Sequence, residues 1–67
     1  MPQVANILTV TGSSPESFAH AARVAVREAE GRVKGAASAE VASMHVAISD
    51  GAITEYRTTL RVSYSRR

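Results

Sequence analysis

The chain has 67 residues with no cysteine and no tryptophan, and its eight Lys and Arg stand against six acids for a net charge of +2. Disulfide staples are excluded, and structural zinc is disfavoured because only His20 and His45 could supply nitrogen and no thiolate accompanies them. Ordering a chain costs on the order of 1.5 kcal/mol per residue, which a single core of this size barely offsets, so copies of the chain itself are the expected staple.

At 45% hydrophobic and 21% charged the composition is that of an ordinary soluble domain. No stretch is long enough to span a bilayer, and Met1-Pro2-Gln3-Val4-Ala5-Asn6 lacks the basic region and long apolar run of a signal peptide, so the cytoplasm is the expected location. The basic residues are spread along the chain except for Arg66-Arg67, which gives weak grounds for nucleic-acid binding.

In chain order, Val4 to Thr11 alternates imperfectly between apolar and polar, and predicts a strand buried on much of both faces. Gly12-Ser13 is expected to break it. Ser14 then stands as N-cap, with Pro15 at the first helical position and Glu16 in the first turn. Phe18, Ala22, Ala25, Ala29 and Val33 recur at spacings of four and three, which predicts an amphipathic helix with an apolar stripe made mostly of alanine. Glu28 with Arg32 and Glu30 with Lys34 are i,i+4 pairs on it. Gly35 is the expected residue just past its end.

Two more strands are predicted, Ala39 to Ser49 and Ala52 to Tyr64, joined by Asp50-Gly51, the preferred pair for a two-residue type I′ turn. That loop pairs Ser49 with Ala52. Counting back, one face matches Val41 with Leu60, Ala39 with Val62 and His45 with Tyr56, and is expected to meet the helix. The other matches Glu40 with Arg61, Met44 with Arg57, Val46 with Glu55 and Ile48 with Ile53. The second face carries Met44, Val46, Ile48 and Ile53 beside charges, and nothing remains in the chain to cover it, which marks an interface. The whole reads as one α+β domain over residues 1–67, a β-α-β-β unit of one helix and three strands, the last two an antiparallel hairpin.

Chemistry is sparse. Gly12-Ser13-Ser14 reads as a strand-to-helix cap rather than a phosphate-binding turn. His20 is expected to be solvated beside Glu16, and His45 to be a packed strand residue opposite Tyr56. Ser17 with either histidine lacks a third member, and no spacing places a carboxylate pair, so no enzyme is read from these residues. Arg57 and Arg61 share a face, either as salt bridges to Glu55 or Glu40 or as an anion site.

Thr11-Gly12-Ser13-Ser14-Pro15-Glu16-Ser17-Phe18 resembles the strand-to-helix junction of the dodecin family, and Asp50-Gly51 through Tyr64 resembles its last strand. Chain length, element order and Ala39-Glu40-Val41 agree with it. The resemblance implies a hollow shell of twelve identical subunits, non-enzymatic, that stores or buffers FMN or riboflavin, or in some members coenzyme A. It also implies flavin rings held between copies of a tryptophan just before the second strand, with a glutamine on the third. Those positions are Ser38 and Arg57 here, and the ligand-tail positions are Ser43 and Ala47, so the flavin site is expected to be degenerate and the ligand unknown. Ions on symmetry axes leave no spacing motif in one chain, and no metal ligands are assigned. The competing reading is a small basic module that binds nucleic acid or a protein through Arg57, Arg61, Arg66 and Arg67.

Overall fold

The computed structural model describes residues 6–64. Strand β1 (Asn6–Ser14), helix α1 (Phe18–Arg32), strand β2 (Ala36–Ser49) and strand β3 (Ala52–Tyr64) follow in order, and the three strands form one antiparallel sheet ordered β1-β3-β2. The predicted β-α-β-β architecture is what the chain adopts. Asp50 and Gly51 both have positive φ, 51° and 75°, as a type I′ turn requires.

The start of the helix differs from its sequence reading. Gly12 and Ser13 do not break β1, which continues to Ser14 opposite Tyr56. The residue before a proline is biased toward extended backbone, and Ser14 precedes Pro15. The N-cap is Ser17, whose Oγ accepts the His20 amide at 3.0 Å, so Pro15 and Glu16 lie before the helix and its first turn holds no acid. Ser14 Oγ is buried and takes the Glu16 amide at 2.9 Å. At the other end Val33 is the C-cap, its N–H on the Ala29 carbonyl, and Gly35 with φ 75° lies two residues further on than the cap. Lys34 is therefore off the helix, and only the Glu28–Arg32 pair forms, at 3.0 Å.

The core is small. Val10, Leu60 and Val62 of the sheet meet Ala25 and Ala29, and Ala21, Ala25 and Ala29 are fully buried. The stripe thus runs through Ala21 rather than Ala22, with Phe18 at its start packed edge-on to Tyr56 at 5.1 Å between ring centroids. Alanines let the helix backbone lie close on β1 at Gly12. Thr58, also buried, donates its hydroxyl to the Phe18 carbonyl at 3.1 Å and ties β3 to the first turn.

The register of the long hairpin holds at both ends and fails in the middle. Glu40 faces Arg61, Val41 faces Leu60 and Ile48 faces Ile53, as expected. Between them Ala42 is an extra residue in β2 and Thr54 an extra residue in β3, so His45 faces Arg57, Met44 faces Thr58 and Val46 faces Tyr56. The shift of one flips sides: Met44 and Val46 join the helix side with Thr58 and Tyr56, while His45 turns to the opposite side. Thr54 Oγ1 donates to the Ala47 carbonyl, 3.3 Å away at the bulge.

Length explains what stays uncovered. The 15-residue helix is about 22 Å long, whereas the 14 residues of β2 extend about 46 Å. The helix packs on β1 and β3 and barely touches β2. Met44, Val46, Ile48 and Ile53 are accordingly exposed, at 56%, 37%, 66% and 51%. They form the overhang of the helix-side face, not a separate charged face as the sequence register implied.

Candidate functional site

The side of the sheet away from the helix is polar over most of its length, with Ile7 exposed at one end of it. Cross-strand partners share a face, so the rows across β1, β3 and β2 read Thr9, Arg61, Glu40; then Thr11, Thr59, Ser43; then Ser13, Arg57, His45. Thr11 and Thr59 share a hydroxyl hydrogen bond of 2.8 Å at its centre. Arg61 donates to Glu40 at 3.0 Å, and Arg57 to Glu55 at 3.2 Å. The Ser13 hydroxyl first, and the Arg57 guanidinium second, hold the Glu55 carboxyl below the usual glutamate value.

By register, the four candidate positions that family likeness marks fall on this side. Ser43 faces Thr59, Ala47 faces Glu55, Ser38 faces Ser63, and Arg57 faces His45 between Ser43 and Ala47. The structure thus gathers Ser43, Ala47 and Arg57 within one patch and sets Ser38 apart. From Ser38 to His45, beside Arg57, β2 covers roughly 20 Å. A single ring system cannot touch Ser38 and Arg57 of the same chain.

The other candidates are accounted for locally. His20 is half-buried rather than solvated, with Nδ1 2.7 Å from Ser14 Oγ. Ser17 Oγ is committed to the helix cap. The Arg66 and Arg67 positions lie outside the described residues. Among the described residues no group of three His, Cys, Asp or Glu side chains could hold a metal ion, and no helix is long and apolar enough to cross a membrane.

Two features escaped the sequence reading. The Thr11–Thr59 contact depended on the β1–β3 register, which no turn fixes. A cavity of about 180 Å3 opens between α1 and the start of β2, lined by Val26, Ala29, Glu30 and Val62 and by the run from Ala36 to Ala39, which includes the candidate position Ser38. The run Ala36-Ala37-Ser38-Ala39, which the structure adds in part to the start of β2, was the available signal, because small residues opposite small residues leave space.

A three-stranded sheet packed on one short helix, with a mostly polar outer side and a long apolar overhang, defines a class of small β-α-β-β domains. The family model for Dodecin matches residues 4–66, and the chain belongs to the dodecin family. It is similar to the calcium dodecin of Mycobacterium tuberculosis, described with a novel calcium-binding site, at 33% identity, covering 97% of this chain and 93% of that one with a TM-score of 0.81. Dodecin from Streptomyces coelicolor has the same fold, with 23% identity, coverage of 96% and 91%, and a TM-score of 0.89. So has the tt0972 protein of Thermus thermophilus, with 22% identity, coverage of 96% and 94%, and a TM-score of 0.88. No curated protein matches the chain.

Proposed function

We propose that this chain is one subunit of a hollow homo-oligomer, a dodecamer by family likeness, that binds and buffers a small ligand in the cytoplasm without chemically changing it. The observation that carries the reading is the overhang Met44, Val46, Ile48 and Ile53, too large and too contiguous to face water in a domain with so small a core. Further support comes from the spacing of Ser38 and Arg57. A pocket that uses both must take them from different copies.

The ligand site is altered relative to a flavin sandwich. Ser38 offers no stacking face, and aromatic stacking contributes about 0.5–1.5 kcal/mol per pair beyond area. Arg57 offers planar donors in place of an amide, and more than half of its side chain is exposed while one nitrogen engages Glu55. Such a patch favours a metabolite that carries an anionic group over bare isoalloxazine. Calcium, which the mycobacterial relative binds, would need carboxylates from several copies, since one chain supplies no cluster among its described residues.

The nucleic-acid reading is weakened by the ion pairs. Arg57 and Arg61 each have a carboxylate at 3.2 and 3.0 Å, so the polar side carries little net positive field. Native mass spectrometry of protein purified from its own host tests the proposal, since it reads stoichiometry and bound small molecules together. A particle of about twelve chains with a retained small ligand is expected. A monomer or dimer that retains nucleic acid would overturn it.

A further inference from the structure

Among the described residues, the groups able to carry charge on the outer side of the sheet are Glu40, His45, Glu55, Arg57 and Arg61. Four of them cancel in pairs. Arg61 lies 3.0 Å from Glu40, and Arg57 lies 3.2 Å from Glu55. The Ser13 hydroxyl, and after it Arg57, hold the Glu55 carboxyl below its usual range, so Glu55 stays ionised wherever an imidazole titrates. The charge of this side is then set by His45.

His45 stands there because the Ala42 bulge turns it from the helix side and sets it across from Arg57. Directly opposed residues of an antiparallel pair have Cβ atoms about 4.5–5.5 Å apart, so one small anion can reach both side chains. From β3 the charged groups beside it are Arg57 and, next along that side, Glu55. Ser43 and Ala47 flank it on β2, β1 brings only the hydroxyls of Ser13 and Thr11 beyond β3, and α1 packs on the other side of the sheet. His45 is exposed and belongs to neither ion pair. Arg57 gives one nitrogen to Glu55 and keeps further N–H donors for a ligand.

We propose that His45 gates the ligand patch. With the imidazole neutral, the outer side is electrically balanced and holds an anion weakly. With the imidazole protonated, the side gains a surplus positive charge beside Arg57, and the two groups clasp the oxyanion of the ligand, a phosphate or a carboxylate, between them. Imidazoles change charge between about pH 5 and 8, so each subunit takes up its ligand as pH falls through that window and releases it as pH rises. The inference rests on the reading of this patch as a site for a metabolite with an anionic group, and adds its regulation.

Sulfate is the probe, because it remains a dianion across this window, with ionic strength held constant by chloride. The chain has two histidines, whose imidazole NMR signals are followed against pH in the unmodified protein. With sulfate the His45 signals are expected to titrate at higher pH than without it, while those of His20, bonded to Ser14 away from this patch, stay where they were. Calorimetry is expected to show sulfate bound about tenfold more tightly at the acid end than at the alkaline end, the effect of one added charge contact near a protein surface. His45→Gln should remove that dependence, and His45→Arg should hold the acid-end affinity at every pH. Binding that ignores pH in the unmodified protein, or a dependence that survives in His45→Gln, would overturn the gate and leave the anion site standing. No binding at any pH, by the unmodified protein or by His45→Arg, would overturn the anionic-ligand reading as well. The imidazole titration decides the matter even where a variant does not fold, since it needs none.

Discussion

The carbonyl oxygen of Ala21 occupies the space where a Cβ on Gly12 would have to sit, and the Ala25 nitrogen is 2.6 Å from the same point. Both obstacles are helix backbone, which cannot swing aside as a side chain would. Gly12→Ala is therefore expected to push α1 off β1 and to cost about 1–3 kcal/mol, in the range of other overpacked sites. Gly31 is the control: a Cβ there meets nothing within 4 Å, and alanine in the helix is expected to stabilise by about 0.5–1 kcal/mol. Urea denaturation of the two variants should move in opposite directions. Equal midpoints would show that the helix does not sit where the structure places it.

Ser14 and His20 close the same corner. Ser14 Oγ already accepts the Glu16 amide, and its buried hydroxyl proton needs an acceptor, which Nδ1 of His20 provides at 2.7 Å. Neutral His20 must then carry its proton on Nε2. Nitrogen-detected NMR at neutral pH should show that tautomer, and Ser14→Ala should release it while costing about 1–3 kcal/mol through the groups left unpaired. A proton found on Nδ1 would reverse the direction of the bond.

Much of this was legible in the residues. Asp50-Gly51 set the turn and the pairing on either side of it, and the alanine spacing gave a helix with a close-packed face. What was not legible was the set of three bulges, at Ala37, Ala42 and Thr54. Ala42 and Thr54 carry no mark that sets them apart from their neighbours, and because a strand alternates every residue, one unmarked insertion exchanged the sides of Met44, His45 and Val46. Gly12 misled for a related reason: glycine punctuates turns and also admits a close backbone, and only the helix lying on it decides between these. The candidate ligand positions came from family likeness, and their common side of the sheet followed only from the observed register.

Glu55 gives the polar side a pH signature. Its folded pKa lies below the ordinary value through the Ser13 hydroxyl and then Arg57. The interaction therefore contributes fully above the unfolded value and is lost as pH falls through the lower folded one. A carboxyl-carbon NMR titration should place Glu55 below a free glutamate. Ser13→Ala should return it further toward the ordinary value than Arg57→Gln does, since the hydroxyl is the larger cause. The opposite order would mean that the guanidinium dominates.

Val46 is opposite Tyr56 on the helix side, yet the helix does not cover it. If a second copy does, Val46→Lys buries an ammonium without a partner, which costs several kcal/mol. With so small a core, the particle is expected to fall apart and the chain to unfold in one transition, followed by native mass and circular dichroism together. A stable, folded monomer from this variant would contradict the view that copies supply the missing core.

Ser38 and Arg57 allow the ligand site to be tested by reconstruction. The unmodified protein should quench riboflavin fluorescence poorly, for want of a stacking face at Ser38. Ser38→Trp with Arg57→Gln should restore tight binding, by roughly tenfold for each stacked face, since a stacked pair is worth up to about 1.5 kcal/mol. The two positions are roughly 20 Å apart along one chain, so the recovered site must span copies. Quenching by the double variant should vanish when Val46→Lys is added. Submicromolar binding by the unmodified protein would mean that another group, Arg57 or Tyr56, supplies the stacking surface. Failure of the double variant in an intact particle would mean that the walls at Ser43 and Ala47 no longer leave room for the ring.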